Sequence, residues 1–376
     1  MSSIIYVGMD VHTTNFTFCC YELGKDKSFG RNQVQNADYK SVISYLNKIK
    51  IGRNEDDIHF VCGYEAGCFG YSLYNQIMTA DTDLDIECRI VAPSTLSVQN
   101  GKRVKTDKRD AEIIARNMCY NSCKYVHVPT AEDNAVKEYI RMRDDEKLRL
   151  KSIKQQIIAF CTRLGKQFSE TKCYWTKKHR EWLKKLDFGN ALLRDTLDEY
   201  LISLSQSEEK MARYDAKIEE MAAGERYAEK VNKLCCIKGI STHTALSLLA
   251  EISDFNRFSN ANKFAAYLGL APGEHSSGDH VVHTSITKAG NSHLRRLLVE
   301  CSQGYGRGSK SQKSKVLKAR HATVDSKVSA YADKARIRMM SKFTRIEQKS
   351  GYNIAKVAIA REMACFVWGL MTDNIA

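Results

Sequence analysis

Ile4-Ile5-Tyr6-Val7-Gly8-Met9-Asp10-Val11 carries a single acid in an otherwise apolar, β-branched run, and its reading decides the fold. Runs of this length rich in Ile, Val and Tyr form strands, so Asp10 falls near the end of a first strand. The short turn His12-Thr13-Thr14 joins it, as a hairpin would, to a second strand-like run, Asn15–Leu23. Further along, Ser28–Val34 supplies a third strand, and Asp38–Ile49 has helical spacing through Tyr39, Val42, Ile43 and Leu46. Ile58–Tyr64 reads as a fourth strand and Tyr71–Met78 as a second helix. Ile86–Val91 is a fifth strand before Pro93, and Asp107–Met118 is a third helix. This order predicts a mixed sheet with helices packed on it, a pattern shared by several folds, the RNase H-like fold among them.

Four acids fall at element ends of this region. Asp10 closes the first strand and Glu65 the fourth, while Asp107 and Asp110 lie in Lys105-Thr106-Asp107-Lys108-Arg109-Asp110 at the start of the third helix. Residues i and i+3 on a helix share a face, so Asp107 and Asp110 can address one site. Hard divalent ions take carboxylate oxygens, and two ions about 4 Å apart stabilise the attacking and leaving oxygens of a phosphodiester. Each acid also has a plain structural reading. Asp10 and Glu65 can be turn residues, and Asp107 and Asp110 can be first-turn acids suited to the helix dipole.

After Pro129 the character changes. Thr130-x-x-Asp133 resembles a capping box, and Val136, Ile140, Ile153, Ile157, Phe160 and Leu164 mark a long amphipathic helix. A second long helix repeats through Leu193, Leu197, Tyr200, Leu204, Ser207, Met211, Tyr214, Ile218 and Met221, steps of four and three that make a coiled-coil seam with one polar break. Two such helices either fold back as an antiparallel pair or join subunits. From about residue 232 a compact helical domain follows. Leu234–Ile240 with Gly239, followed by Thr244-Ala245-Leu246, looks like a helix-hairpin-helix that offers backbone N–H groups to a phosphate, or is an ordinary helical turn. The expected domains are 1–125, 126–228 and 229–376, the first α/β and the other two all-α.

The chain has 376 residues and a net charge of +14, and charged residues at 27% beside 43% hydrophobic ones exclude a mainly disordered chain. Ten of those positive charges sit in residues 301–350, where thirteen Lys/Arg face three Asp/Glu. Such a block is a solvated face or the footprint of a polyanion. No apolar run reaches the ~18 residues of a membrane span. The strongest C-terminal candidate, Ile354–Met371, contains Lys356, Arg361 and Glu362 and reads as a packed helix. The start has no basic leader segment, and thirteen scattered cysteines without a Cys-x-x-Cys fit a reduced cytoplasm and no zinc site.

Gly269-Leu270-Ala271-Pro272-Gly273-Glu274-His275-Ser276-Ser277-Gly278 ends in hydroxyl residues before a glycine, a turn that can expose an oxygen nucleophile or simply fill a loop. Thr287-Lys288-Ala289-Gly290-Asn291-Ser292-His293-Leu294-Arg295-Arg296 offers donors for a phosphate, or a helix start.

Taken in order, these segments resemble a known family: insertion-sequence transposases with four acidic RuvC-like residues and a C-terminal serine, related to the Piv-type DNA invertases. The resemblance is carried by Tyr6–His12, Tyr64-Glu65-Ala66-Gly67, Arg103–Ala111, Phe264–Pro272, Ser276-Ser277-Gly278, Ile286–Asn291 and Val357–Glu362, and spans nearly the whole chain. It implies an RNase H-like (RuvC-like) first domain whose Asp10, Glu65, Asp107 and Asp110 bind Mg²⁺. It also implies a helical C-terminal domain whose serine, Ser277 rather than Ser276, joins covalently to DNA. A structured bridge RNA that pairs with donor and target DNA is implied as well, which accounts for a basic surface with no base-reading motif. So is a homo-oligomer, a dimer or a tetramer on DNA, in the cytoplasm of a prokaryote at the nucleoid. Three functions are thus open: an RNA-guided serine recombinase, a metal-dependent junction nuclease in which water attacks, and a non-catalytic nucleic-acid-binding protein. The last predicts loss of an acid, and all four are present.

Overall fold

The computed structural model describes residues 3–25, 27–35, 37–53, 57–97, 106–277 and 280–375, and the side chains of 275–283 lie outside that description. The chain divides into two compact units, Met1–Val128 and Pro129–Ala376.

The first unit runs β1 (Ser3–Val11), β2 (Phe16–Tyr21), β3 (Phe29–Val34), α1 (Tyr39–Arg53), β4 (Ile58–Glu65), α2 (Ser72–Met78), β5 (Asp85–Val91) and α3 (Asp107–Cys119). Its five strands lie in the order β3-β2-β1-β4-β5. The first three are antiparallel neighbours, and β4 and β5 continue parallel to β1. This fits the expected mixed α/β sheet. Both faces are covered, which is why β2 is buried at every position. Ile5, Val7 and Met9 of β1, with Phe60, Cys62 and Tyr64 of β4, pack on one face against Val42, Tyr45 and Leu46 of α1 and Leu73 and Ile77 of α2. The other face receives α3, which comes so close that a Cβ on Gly8 would stand 1.9 Å from the Ala111 carbonyl oxygen.

In the second unit α4 (Ala131–Arg163), α5 (Lys177–Lys185) and α6 (Ala191–Ala223) are followed by α7 (Ala228–Cys235), α8 (Thr242–Ile252) and α9 (Ala261–Tyr267). Next come β6 (Pro272–Ser277), β7 (His280–Ile286), α10 (Ser292–Ser302), α11 (Lys315–His321), α12 (Ser326–Ser350) and α13 (Tyr352–Met371). Of the two arrangements open to the long helices, folding back is the one formed. Arg143 Nε donates to Asp215 at 2.7 Å and Phe160 meets Tyr200, contacts that make α4 and α6 antiparallel. Leu197, Leu204, Ser207, Met211 and Ile218 of the predicted seam are buried. The polar break has a partner: the Ser207 hydroxyl donates to Glu146 Oε1 at 2.6 Å, with both residues buried.

Two expectations need correction. The capping box is half formed. Thr130 accepts from the Asp133 N–H, but the Asp133 carboxylate turns instead to Arg226, Tyr227 and Ser253. The all-α second half contains an antiparallel hairpin, β6–β7, because His280–Ile286 is a β-branched run that a helix would not favour. The remaining helices enclose one core. In it Ile359, Ala360, Met363, Ala364 and Val367 of α13 are fully buried, as predicted for a packed helix. Among the described residues no helix is long and apolar enough to cross a membrane.

Candidate metal centre

The site of the first unit is built by a register. Gly8 of β1 pairs with Gly63 of β4, and a Cβ on either would collide with α3: Gly8 with its backbone at Ala111 and Ala115, Gly63 with the Met118 side chain. Two residues on, alternation returns each strand to the same face. There stand Asp10 and Glu65, one step past the paired Met9 and Tyr64. The first turn of α3 carries Asp107 and Asp110 over that edge.

Asp10, His12 and Asp107 each present a ligand atom, and these atoms all lie within 4.8 Å of one another. Asp110 is near enough for its charge to act on Asp10. Glu65 is exposed at the neighbouring strand end and lies outside the tight group. Burial first, then the charges of Asp107 and Asp110, push the Asp10 carboxyl above its ordinary value, while His12, 3.3 Å away, pulls it down. The donor set fits a divalent cation: carboxylate oxygens with one imidazole. A second observation agrees. Thr17 stands opposite Asp10 in the antiparallel pairing, and its buried hydroxyl oxygen has no hydrogen-bond partner among the described residues.

The sequence reading did not single out His12 as a ligand. The signal was available, since Asp-x-His at a strand end puts both residues on one side.

Ser277 lies in the other unit. It is the last residue of β6, paired in register with His280, and its side chain, like that of Ser276, lies outside the described residues. The segment from Thr287 resolves to a helix start. Asn291 caps α10 by accepting from the Leu294 N–H, and its amide donates to Glu251. His293 donates from Nδ1 to Glu251 (2.7 Å) and from Nε2 to Asp144 (2.8 Å), and Arg296 donates to Asp144 at 2.6 Å. These donors are committed to buried acids of α4 and α8. Burial alone would lower the His293 pKa, but the two carboxylates raise it to about 9. Burial would raise Asp144, but close approach of His243 and hydrogen bonds from His293 and Arg296 hold it well below the usual carboxylate range. The Gly239 turn between α7 and α8 is a helix–turn–helix corner with φ +94°, pressed against the Cys301 carbonyl of α10.

A mixed sheet with acids gathered at the end of its central strands, followed by a helical unit, defines a class: metal-dependent enzymes acting on nucleic acids. Comparison with known proteins narrows it. Residues 7–164 match a DEDD transposase family of IS110 type, and residues 231–315 match the family described as Transposase IS116/IS110/IS902. The chain is 32% identical to a transposase for insertion sequence element IS1533 from Leptospira borgpetersenii, over 93% of this chain and 98% of that one. It is 29% identical to a putative transposase, y4qE, from Sinorhizobium fredii, over 98% of this chain and 88% of the relative. A transposase for insertion sequence element IS1111A from Coxiella burnetii is 24% identical, over 99% and 91%. The chain belongs to the IS110/IS116/IS902 family of insertion-sequence transposases, enzymes that cleave and rejoin DNA.

Proposed function

We propose that this transposase excises and inserts its element by attack of the Ser277 hydroxyl on DNA phosphates, assisted by Mg²⁺ held at Asp10, Glu65, Asp107 and Asp110 with His12 beside them. The convergence of Asp10, His12 and Asp107 carries the reading. When bound, a divalent ion there would polarise the scissile phosphate and stabilise oxyanion charge. The chain's own groups do the rest. Asp10 and Asp107 hold a face of negative charge that rejects a bare phosphate, so DNA engages only with cations present. His12 places its Nε2 3.3 Å from Asp10 at that edge, where it can orient the carboxylate. Ser277 is the last residue of β6, paired in register with His280 of β7. In this reading the partners are donor and target DNA, a structured bridge RNA and further copies of the chain in the cytoplasm, the two long helices acting as a coiled coil. DNA pairing by a guide accounts for ten net positive charges in residues 301–350 without a base-reading motif.

A second reading, a water-using junction nuclease, is favoured by the position of every acid in one unit. Trapping a covalent protein–DNA adduct separates the two. The chain is expressed from its native locus as wild type, Ser277→Ala and Asp10→Ala. An adduct mapped to Ser277 and lost in both variants supports the serine reaction. Cleavage without an adduct, retained by Ser277→Ala, refutes it in favour of water.

A further inference from the structure

The turn-back between α4 and α6 holds chemistry that the recombination reading does not use. Residues 163–188 carry eight Lys/Arg against three Asp/Glu, together with two of the chain's three tryptophans. The helix α5 divides these by face. His179, Trp182 and Leu183 turn inward, whereas Lys177, Lys178, Lys184 and Lys185 are exposed. Among the described residues those four lysines form no ion pair, unlike Arg180, which grips Glu208 of α6.

The inward side is a ring cluster centred on His179. Phe168, Tyr174 and Trp175 meet it edge-on at centroid distances of 4.9 to 5.1 Å, and Trp182 stacks at 5.6 Å. Trp175 has φ +67°, rare for a bulky residue, and its N–H donates to His179 Nδ1 at 3.1 Å, which holds it there. Seating α5 on the helical pair requires Leu183 and Leu186, which join the local core. It does not require Tyr174, which is 48% exposed. Beside these rings lies a cavity of about 200 Å³, smaller than drug-sized sites and suited to one flat ring system. Its walls combine the rings of Phe168, Tyr174 and Trp182 with hydrogen-bonding groups of Thr162, Lys166 and Gln167.

Rings that stack a flat heterocycle, polar groups for its edge, and unpaired lysines on the adjoining face are what a single-stranded nucleic acid needs. Duplex offers the same phosphates but no unstacked base. We propose that the tip of the α4–α6 pair is a single-strand binding site, which seats one splayed base in this cavity and runs the neighbouring phosphates along α5. The inference is independent of Ser277 and of the metal, because it is read by binding alone.

The test uses the full chain with short fluorescein-labelled oligouridylate, oligothymidylate and a duplex of equal length. Photocrosslinking with thiouridine-bearing oligonucleotide should label the segment 166–182. Tyr174→Ala should weaken single-strand binding by about five- to a hundred-fold, the loss of one stacked base, and leave duplex binding unchanged. Tyr174→Phe should restore it at an unchanged melting temperature, which separates stacking from a folding defect. Lys177→Glu with Lys178→Glu should weaken binding and flatten its salt dependence. A stronger effect on the uridylate arm identifies RNA as the strand held, and on the thymidylate arm displaced DNA. Crosslinks confined to other segments, with Tyr174→Ala and the lysine variant binding like wild type, would overturn the proposal.

Discussion

Replacing Gly8 by alanine tests how the candidate metal centre is assembled. The added Cβ would stand 1.9 Å from the Ala111 carbonyl oxygen and 2.5 Å from the Ala115 nitrogen, both backbone atoms of α3. Reaching an ordinary 3.4 Å from 1.9 Å requires α3 to withdraw by about 1.5 Å. Overpacking of this kind costs about 1–3 kcal/mol, and rigid obstacles put it at the upper end. In a unit of this length that is roughly 4 °C of melting temperature per kcal/mol, so a drop of about 8–12 °C is expected by calorimetry. Function should suffer more. Asp107 and Asp110 ride on the same helix, and a 1 Å misplacement of catalytic groups can cost ~10²-fold in rate. Two glycines calibrate the result. At Gly63 the obstacle is the flexible Met118 thioether, so Gly63→Ala should cost clearly less. At Gly52 no atom lies within 4 Å, and Gly52→Ala in α1 should stabilise slightly. A Gly8→Ala protein that melts and cleaves element ends like wild type would refute this account of how the acids are gathered.

Three other expectations follow from named contacts. Asp10→Asn should raise the melting temperature in chelator at pH 7, because burial and its acid neighbours disfavour the charged carboxylate, and should abolish stabilisation by added Mg²⁺; scanning fluorimetry with and without metal checks both. His293 has a folded pKa of about 9 against an ordinary 6.5, so its contribution is complete below pH 6.5 and lost as pH rises through 9. The melting temperature should fall across that window, and His293→Gln should flatten the fall. Asp144 and Glu251 are shifted down, so their contribution is present above about pH 4–5 and lost on further acidification. Ser207→Ala adds no bulk, yet it leaves buried Glu146 without its 2.6 Å donor, at a cost of about 1–3 kcal/mol in chemical denaturation. Leucine at both positions should recover most of that loss.

Most strands of the first unit were legible because they are rich in β-branched or aromatic residues bounded by turn residues, and the four acids were legible because they fall at the ends of strands or the start of a helix. The convergence of Asp10 with Asp107 was not. It depends on the Gly8–Gly63 pairing and on α3 crossing that face, and neither is written locally. His12 went unnoticed as a ligand because a histidine after a strand reads as part of a turn. In α4 the apolar period breaks between Ile140 and Ile153, a gap that suggests exposure. Asp144 and Glu146 fill it as buried acids, since α8, α10 and α6 supply His243, His293, Arg296 and Ser207. A charged residue is read as surface from sequence because burial without a partner is costly, and, apart from the nearby Arg143 and Arg149, the partners here lie 60 or more residues away. The β6–β7 hairpin was hidden by Gly, Ser and His residues that suit loops as well as edge strands.

The acid cluster also shows why a cation belongs at this edge. Two carboxylates within 4.8 Å repel by about 1 kcal/mol in bulk water and about 3–4 kcal/mol at the effective dielectric of a half-buried surface. The N-terminus of α3 offsets only about 0.3–1 kcal/mol of this. Repulsion therefore wins in the bare protein, and it grows with each further acid. The chain nevertheless brings them closer, by keeping side chains off Gly8 and Gly63 so that α3 can settle onto the sheet. Gly8 and Gly63 on neighbouring parallel strands seat the helix, and two residues past Gly8 the same strand brings Asp10 up to Asp107 in its first turn. Packing energy from the rest of the unit holds the carboxylates together against their charge, and a divalent ion bound there would recover that repulsion as affinity.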